Sequence, residues 1–133
     1  MRREKATRLR YNPAMRDHRK LKAFQLADAL VLSVYEETRR FPRDEAFGLT
    51  SQMRRAAISV SADTVEGWAR DGISEYVNFL NMAFGSLREL GYHIDLARRL
   101  GYLSEEKALM LAAQYEEAAK VLCGLKKSLR ALR

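Results

Sequence analysis

Apolar positions recur along this chain in alternating steps of three and four residues, the spacing that holds side chains on one face of an α-helix. The first series is Phe24, Ala27, Val31, Val34 and Thr38, predicting a helix over about residues 23–40. Pro42 ends it, because proline disfavours helix at the residue before it. Phe41 is then placed to cover one end of a core. The second series is Met53, Ala57, Val60 and Thr64, predicting a helix over about 50–68 with Thr50 or Ser51 as its N-cap. Gly48, in the loop before it, admits a turn with positive φ. This helix has a second apolar edge at Ile58, Ala62 and Val65. It is also rich in small residues (Ala56, Ala57, Ser59, Ser61, Ala62), which let another helix approach closely.

The third series is the longest: Tyr76, Leu80, Ala83, Leu87, Leu90, Ile94 and Ala97, over about 74–100. Ser74 is a candidate cap at its start, and Gly101 takes the C′ position that stops a helix. The fourth series runs Ala108, Leu111, Tyr115, Ala118, Leu122, Leu125, Leu129, Leu132, over about 104–131. Ser104 caps it, and Glu105 and Glu106 in its first turn suit the helix dipole. Gly67 is expected to permit the turn out of the second helix. Gly85, inside the third, costs about 1 kcal/mol relative to alanine, which predicts a close helix crossing there. Short connections force sequential helices to lie antiparallel. The expected architecture is all-α: one domain, residues 23–133, folded as an up-down-up-down four-helix bundle.

Charge changes the picture at the ends. The formal net charge is +7, from 24 Lys and Arg against 17 Asp and Glu. Residues 1–22 hold nine of the cations (Arg2, Arg3, Lys5, Arg8, Arg10, Arg16, Arg19, Lys20, Lys22) against Glu4 and Asp17, so the remainder is balanced. A basic, flexible N-terminal tail on a neutral body attracts polyanions; the alternative is a merely solubilising end. Met15 is an alternative start, and a chain beginning there would lose five cations and one anion. A second basic cluster, Lys126, Lys127, Arg130 and Arg133, closes the fourth helix. No apolar run approaches the roughly 20 residues that span a bilayer. A single cysteine, Cys123, makes no internal disulfide, which points to a reducing, cytoplasmic setting.

Chemistry-bearing patterns are absent. There is no glycine-rich phosphate loop, no zinc-spaced Cys/His set and no Glu-x-x-His pair of a di-iron bundle. No cofactor or metal is expected, and the chain reads as a binding or assembly module, not an enzyme. His93 reads as a surface or interface residue, Cys123 as a small packed residue, and Glu36–Glu37 and Glu116–Glu117 as solvated faces.

Several segments in order resemble one family. They are Phe41-Pro42, Glu45, Phe47-Gly48-Leu49, Ser51-Gln52, Arg54-Arg55-Ala56-Ala57 and Ile58-Ser59. Further on come Val65-Glu66-Gly67 with Arg70, then Phe79-Leu80, Ala83, Gly85-Ser86 and Glu89-Leu90, and last Leu96-Ala97 with Leu100-Gly101-Tyr102-Leu103. Together they resemble the bacterial four-helix-bundle proteins of the 23S rRNA intervening-sequence type, over about residues 24–125. The resemblance implies a homopentameric barrel and an association with RNA or DNA. A similar bundle, the accessory variability protein of diversity-generating retroelements, partners a reverse transcriptase. The chain departs from the family's usual Asn-Ile at Asp63-Thr64, and residues 1–14 look additional to the family pattern.

Two functions follow as expectations. The first is nucleic-acid association, through Arg54, Arg55, Arg70, Lys126, Lys127 and Arg130 on the body and Arg16, Arg19, Lys20 and Lys22 on the tail. The second is a protein-assembly scaffold, with Ile58, Ala62, Val65 and Trp68 as the oligomer interface and a protein partner. Arg54 and Arg55 also have a structural reading, pairing with Glu45, Asp63, Glu66 or a neighbouring subunit. Trp68 could stack on a base or fill an interface. Glu66, Gly67, Gly85, Ser86 and Glu89 are read as structural, with Glu66 a buried or half-buried partner for an arginine or for free backbone N–H groups.

Overall fold

The structure is a computed structural model that describes residues 17–133. Helices α1 (Lys22–Thr38), α2 (Leu49–Trp68), α3 (Ile73–Arg99) and α4 (Glu105–Arg130) account for most of it, with short 3₁₀ turns at His18–Lys20 and Arg43–Glu45. Each helix packs on its sequence neighbour and α4 returns to α1, closing a square. The direction of each helix is fixed by contacts near its ends. The start of α4 meets the end of α1 through Lys107 and Glu37, and its end meets the start of α3 through Arg133 and Ser74. The bundle is therefore up-down-up-down. The expected tail residue Arg16, and the residues before it, lie outside the described span.

The core follows the heptad-like series in α3, where Leu80, Ala83, Leu87 and Leu90 are fully buried. Burying one such leucine stabilises the fold by roughly 1.5–3 kcal/mol. In α1 the buried residues are Ala23, Ala27, Leu30, Val34, Glu37 and Thr38; Ala27, Val34 and Thr38 are as expected, while Ala23 and Leu30 take the inner places expected of Phe24 and Val31. Phe24 and Val31 are half-buried instead. The stretch from Leu26 to Val34 is apolar on several faces, so periodicity alone does not choose the inner one. Leu132 lies beyond the end of α4 and is exposed. Phe41 covers the upper end of the core and packs on Tyr102 with ring centroids 5.3 Å apart.

Helix ends correct several expectations. Gly48, not Thr50 or Ser51, is the N-cap of α2, and its φ of −111° is not positive. The first N–H of α2 is instead accepted by Glu45 Oε1, 2.9 Å from Leu49 N. A Cβ at Gly48 would sit 2.6 Å from that carboxylate oxygen, so a larger residue there would displace the capping Glu45 side chain. Gly72, not Ser74, precedes α3. Ser104 does cap α4, accepting the Lys107 N–H at 3.1 Å. Gly101 ends α3 with φ of +80°. The Tyr102 N–H donates to Ala97 O and the Gly101 N–H to Arg98 O, the double bond pattern of a Schellman cap.

Neither motif glycine has its expected role. Gly67 lies within α2, buried, where a Cβ would meet Phe79 Cβ and the Tyr76 ring at 3.0 Å. It serves the approach of α3, not a turn. Gly85 faces open space, so no helix crosses there. The close approach on α3 falls at Gly91, over which the Tyr115 ring of α4 leans.

Candidate nucleic-acid interface

Antiparallel packing puts the start of α1, the end of α2, the start of α3 and the end of α4 at one end of the bundle. Arg19, Lys20 and Lys22 therefore share that end with Arg70 and with Lys126, Lys127, Arg130 and Arg133. Cations a hundred residues apart in sequence become one cluster. Residues 1–16, with six more Lys and Arg, join the chain there, immediately before Asp17.

Several of these cations are held by neutral groups, which leaves their charge uncompensated. Arg130 Nη2 donates to Asn81 Oδ1 at 3.3 Å, and Arg133 Nη1 to Ser74 Oγ at 3.3 Å. Lys126 is buried along its length and sets its ammonium 4.2 Å from the Phe84 ring centroid. That contact orients the lysine without neutralising it. Lys20, Lys22 and Lys127 are exposed. Carboxylates temper the patch: Asp71 and Glu75 are exposed at the same end, and two others pair with its arginines. Arg19 holds Asp17 at 2.8 Å, and this hydrogen bond keeps the Asp17 carboxyl below the usual range. Arg70 bonds Glu66 at 2.7 Å while lying 4.5 Å over the Phe79 ring. Glu66 is thus an arginine partner, but an exposed one.

Arg54 and Arg55 are not part of this end. Both lie in the first half of α2, towards the opposite end. Arg54 Nε donates to Thr38 Oγ1 at 2.9 Å, and its guanidinium covers Tyr35 at 4.5 Å, so it fastens α2 to α1. Arg55 is exposed and lines a polar groove of about 180 Å³ with Gln52, Ser59, Ser86 and Glu89. Burial raises the Asp63 carboxyl, with the Glu66 charge adding to it. The α2 face named for assembly is mixed: Ile58 and Ala62 are exposed, Val65 and Trp68 half-buried.

Other residues depart from expectation. His93 is buried, not on the surface, and Nδ1 has no hydrogen-bond partner. Burial lowers its pKa, with the Glu89 carboxylate acting against that shift. Cys123 is exposed, not packed. Glu37 is buried and pairs with Lys107 at 3.4 Å, so Glu36–Glu37 is not a solvated pair. Among the described residues no group of three His, Cys, Asp or Glu could hold a metal. No helix there is long and apolar enough to cross a membrane.

The model of the 23S rRNA-intervening sequence protein family matches residues 19–124. The chain belongs to this family. A protein with unknown function from the S23 ribosomal protein family of Bacteroides thetaiotaomicron VPI-5482, solved at 1.70 Å resolution, shares the fold. Its TM-score is 0.73 at 19% identity, over 79% of this chain and 98% of that one. No curated protein matches the chain. The matched span stops short of Lys126, Lys127, Arg130 and Arg133. Arg19, Lys20, Lys22 and Arg70 lie within the span matched by the 23S rRNA-intervening sequence family.

Proposed function

We propose that this chain is a non-enzymatic helical-bundle module of the cytoplasm that associates with RNA through its basic end. One observation carries the reading: the fold gathers Lys20, Lys22, Lys126, Lys127, Arg130 and Arg133 where residues 1–16 attach. Lysines and arginines whose charge is not neutralised by a carboxylate suit phosphate oxygens, so we place the contact on the backbone. The choice of RNA among polyanions rests on the family's description alone, a 23S rRNA-intervening sequence protein. The test is fluorescence anisotropy with structured RNA across a salt series. Each neutralised phosphate releases counterions, so affinity should fall steeply with salt. Binding that is absent at low salt, or indifferent to salt, would sink the proposal.

A second reading is self-assembly as a scaffold for a protein partner such as a reverse transcriptase. It is supported by Ile58 and Ala62, which face outward on α2. Ile58→Glu should then lower the mass in solution.

A further inference from the structure

A small apolar pocket opens within the basic end, between the start of α3 and the end of α4. Ile73, Tyr76, Leu129 and Leu132 wall it, and Arg70 and Asp71 are also on its lining. Leu132 is 70% exposed, although it stands among cations. The pocket has a volume of about 140 Å³. For comparison, an apolar cavity of about 150 Å³ takes up benzene. One six-membered ring therefore fills the pocket.

Cations and carboxylates around it are unevenly placed. Arg130 and Arg133 directly follow Leu129 and Leu132 in sequence, and both reach across to α3, where Asn81 Oδ1 and Ser74 Oγ accept from them at 3.3 Å. Both of these partners are neutral. Arg70, by contrast, is paired with Glu66. Asp71 lies on the lining itself, and Glu75 is exposed in the first turn of α3. Apolar walls beside two carboxylates repel a phosphate, so the pocket suits a flat, neutral group while Arg130 and Arg133 suit the charged ones.

A strand of RNA carries both kinds of group, a neutral ring joined to an anionic backbone. A ring edge also bears N–H groups that a carboxylate such as Asp71 can accept. Duplex RNA presents 2′-hydroxyls and phosphates on its surface and keeps its rings stacked inside, whereas single strands can splay their bases outward. We infer that the pocket seats one unpaired pyrimidine base of single-stranded RNA, with Arg130 and Arg133 on the phosphates beside it. The inference rests on the RNA reading and narrows its substrate class from any RNA backbone to a single strand.

Fluorescence anisotropy of the full chain at low salt tests it, with three probes and one variant. The probes are a short oligouridylate, an abasic strand of the same length and charge, and an RNA duplex of that length. The variant is Leu132→Ala, which removes a wall without changing charge; Leu132 is exposed, so circular dichroism should show unchanged helix. Wild type should bind the oligouridylate about 10-fold more tightly than the abasic strand, the lower range for one seated base. The duplex should bind no better than the abasic strand. Leu132→Ala should bring the oligouridylate down to the abasic level and leave the abasic strand unchanged, a coupling that a general loss of affinity does not produce. If the three probes bind alike, or the variant weakens them alike, the pocket is not a base site and backbone binding to RNA stands. An oligoadenylate that binds more tightly than the oligouridylate overturns the assignment to a one-ring base. No binding of any probe overturns the RNA reading as well.

Discussion

Tyr102 donates a 2.8 Å hydrogen bond to Glu45 Oε2, and the other oxygen of that carboxylate accepts the Leu49 N–H. One side chain thus caps α2 and ties the loop before it to the loop after α3. The Leu49 hydrogen bond, then that of Tyr102, lowers the Glu45 pKa, and the same bond raises that of Tyr102. A depressed carboxyl contributes stability above its unfolded value, about 4.3, and loses it as pH falls through the folded value. Thermal melts from about pH 6 to about pH 3 should show wild type losing more than Glu45→Gln. Parallel curves would mean the carboxylate adds nothing.

His93 titrates in the same direction for a different reason. Its folded pKa lies below the ordinary value, about 6.5, because burial disfavours the imidazolium. The unfolded chain then takes up the proton first, so stability is complete above about pH 6.5 and declines as pH falls towards the folded value. His93→Leu should flatten that part of the profile in chemical denaturation. A slope equal to wild type would place the titration elsewhere.

The two motif glycines should respond oppositely to alanine. Gly67→Ala forces a methyl against Phe79 and Tyr76 and should cost about 1–3 kcal/mol as overpacking. Gly85→Ala meets nothing and should stabilise by up to about 1 kcal/mol through helix propensity. Urea unfolding of both variants reads the contrast directly.

Arg54 separates a structural arginine from an RNA-binding cation. Arg54→Ala should lower stability by about 1 kcal/mol through its bond to Thr38, with RNA affinity unchanged. Replacing Lys126, Lys127 and Arg130 together by alanine should do the reverse on affinity. The salt slope should flatten by about 2–3. Equal effects of the two changes on anisotropy would argue against the basic end.

Much of this molecule was legible in sequence. An apolar stripe at steps of three and four determines which residues are helical whatever surrounds them, and Gly101 and Ser104 act through bonds to neighbours a few residues away. The four helices and the α3–α4 turn follow from such local rules. Other features depended on contacts between distant segments. The inner face of α1, the pairing of Glu37 with Lys107, the burial of His93 and the surroundings of Gly67 and Gly85 depend on which helix lies opposite, at what depth. The same holds for the basic end. Two clusters at opposite ends of the sequence were visible as composition, and only antiparallel packing brought them together. Phe47 belongs there too: a single aromatic in a loop carries no periodic signal, and its outward turn goes with the Glu45 hydrogen bonds that hold the backbone beside it.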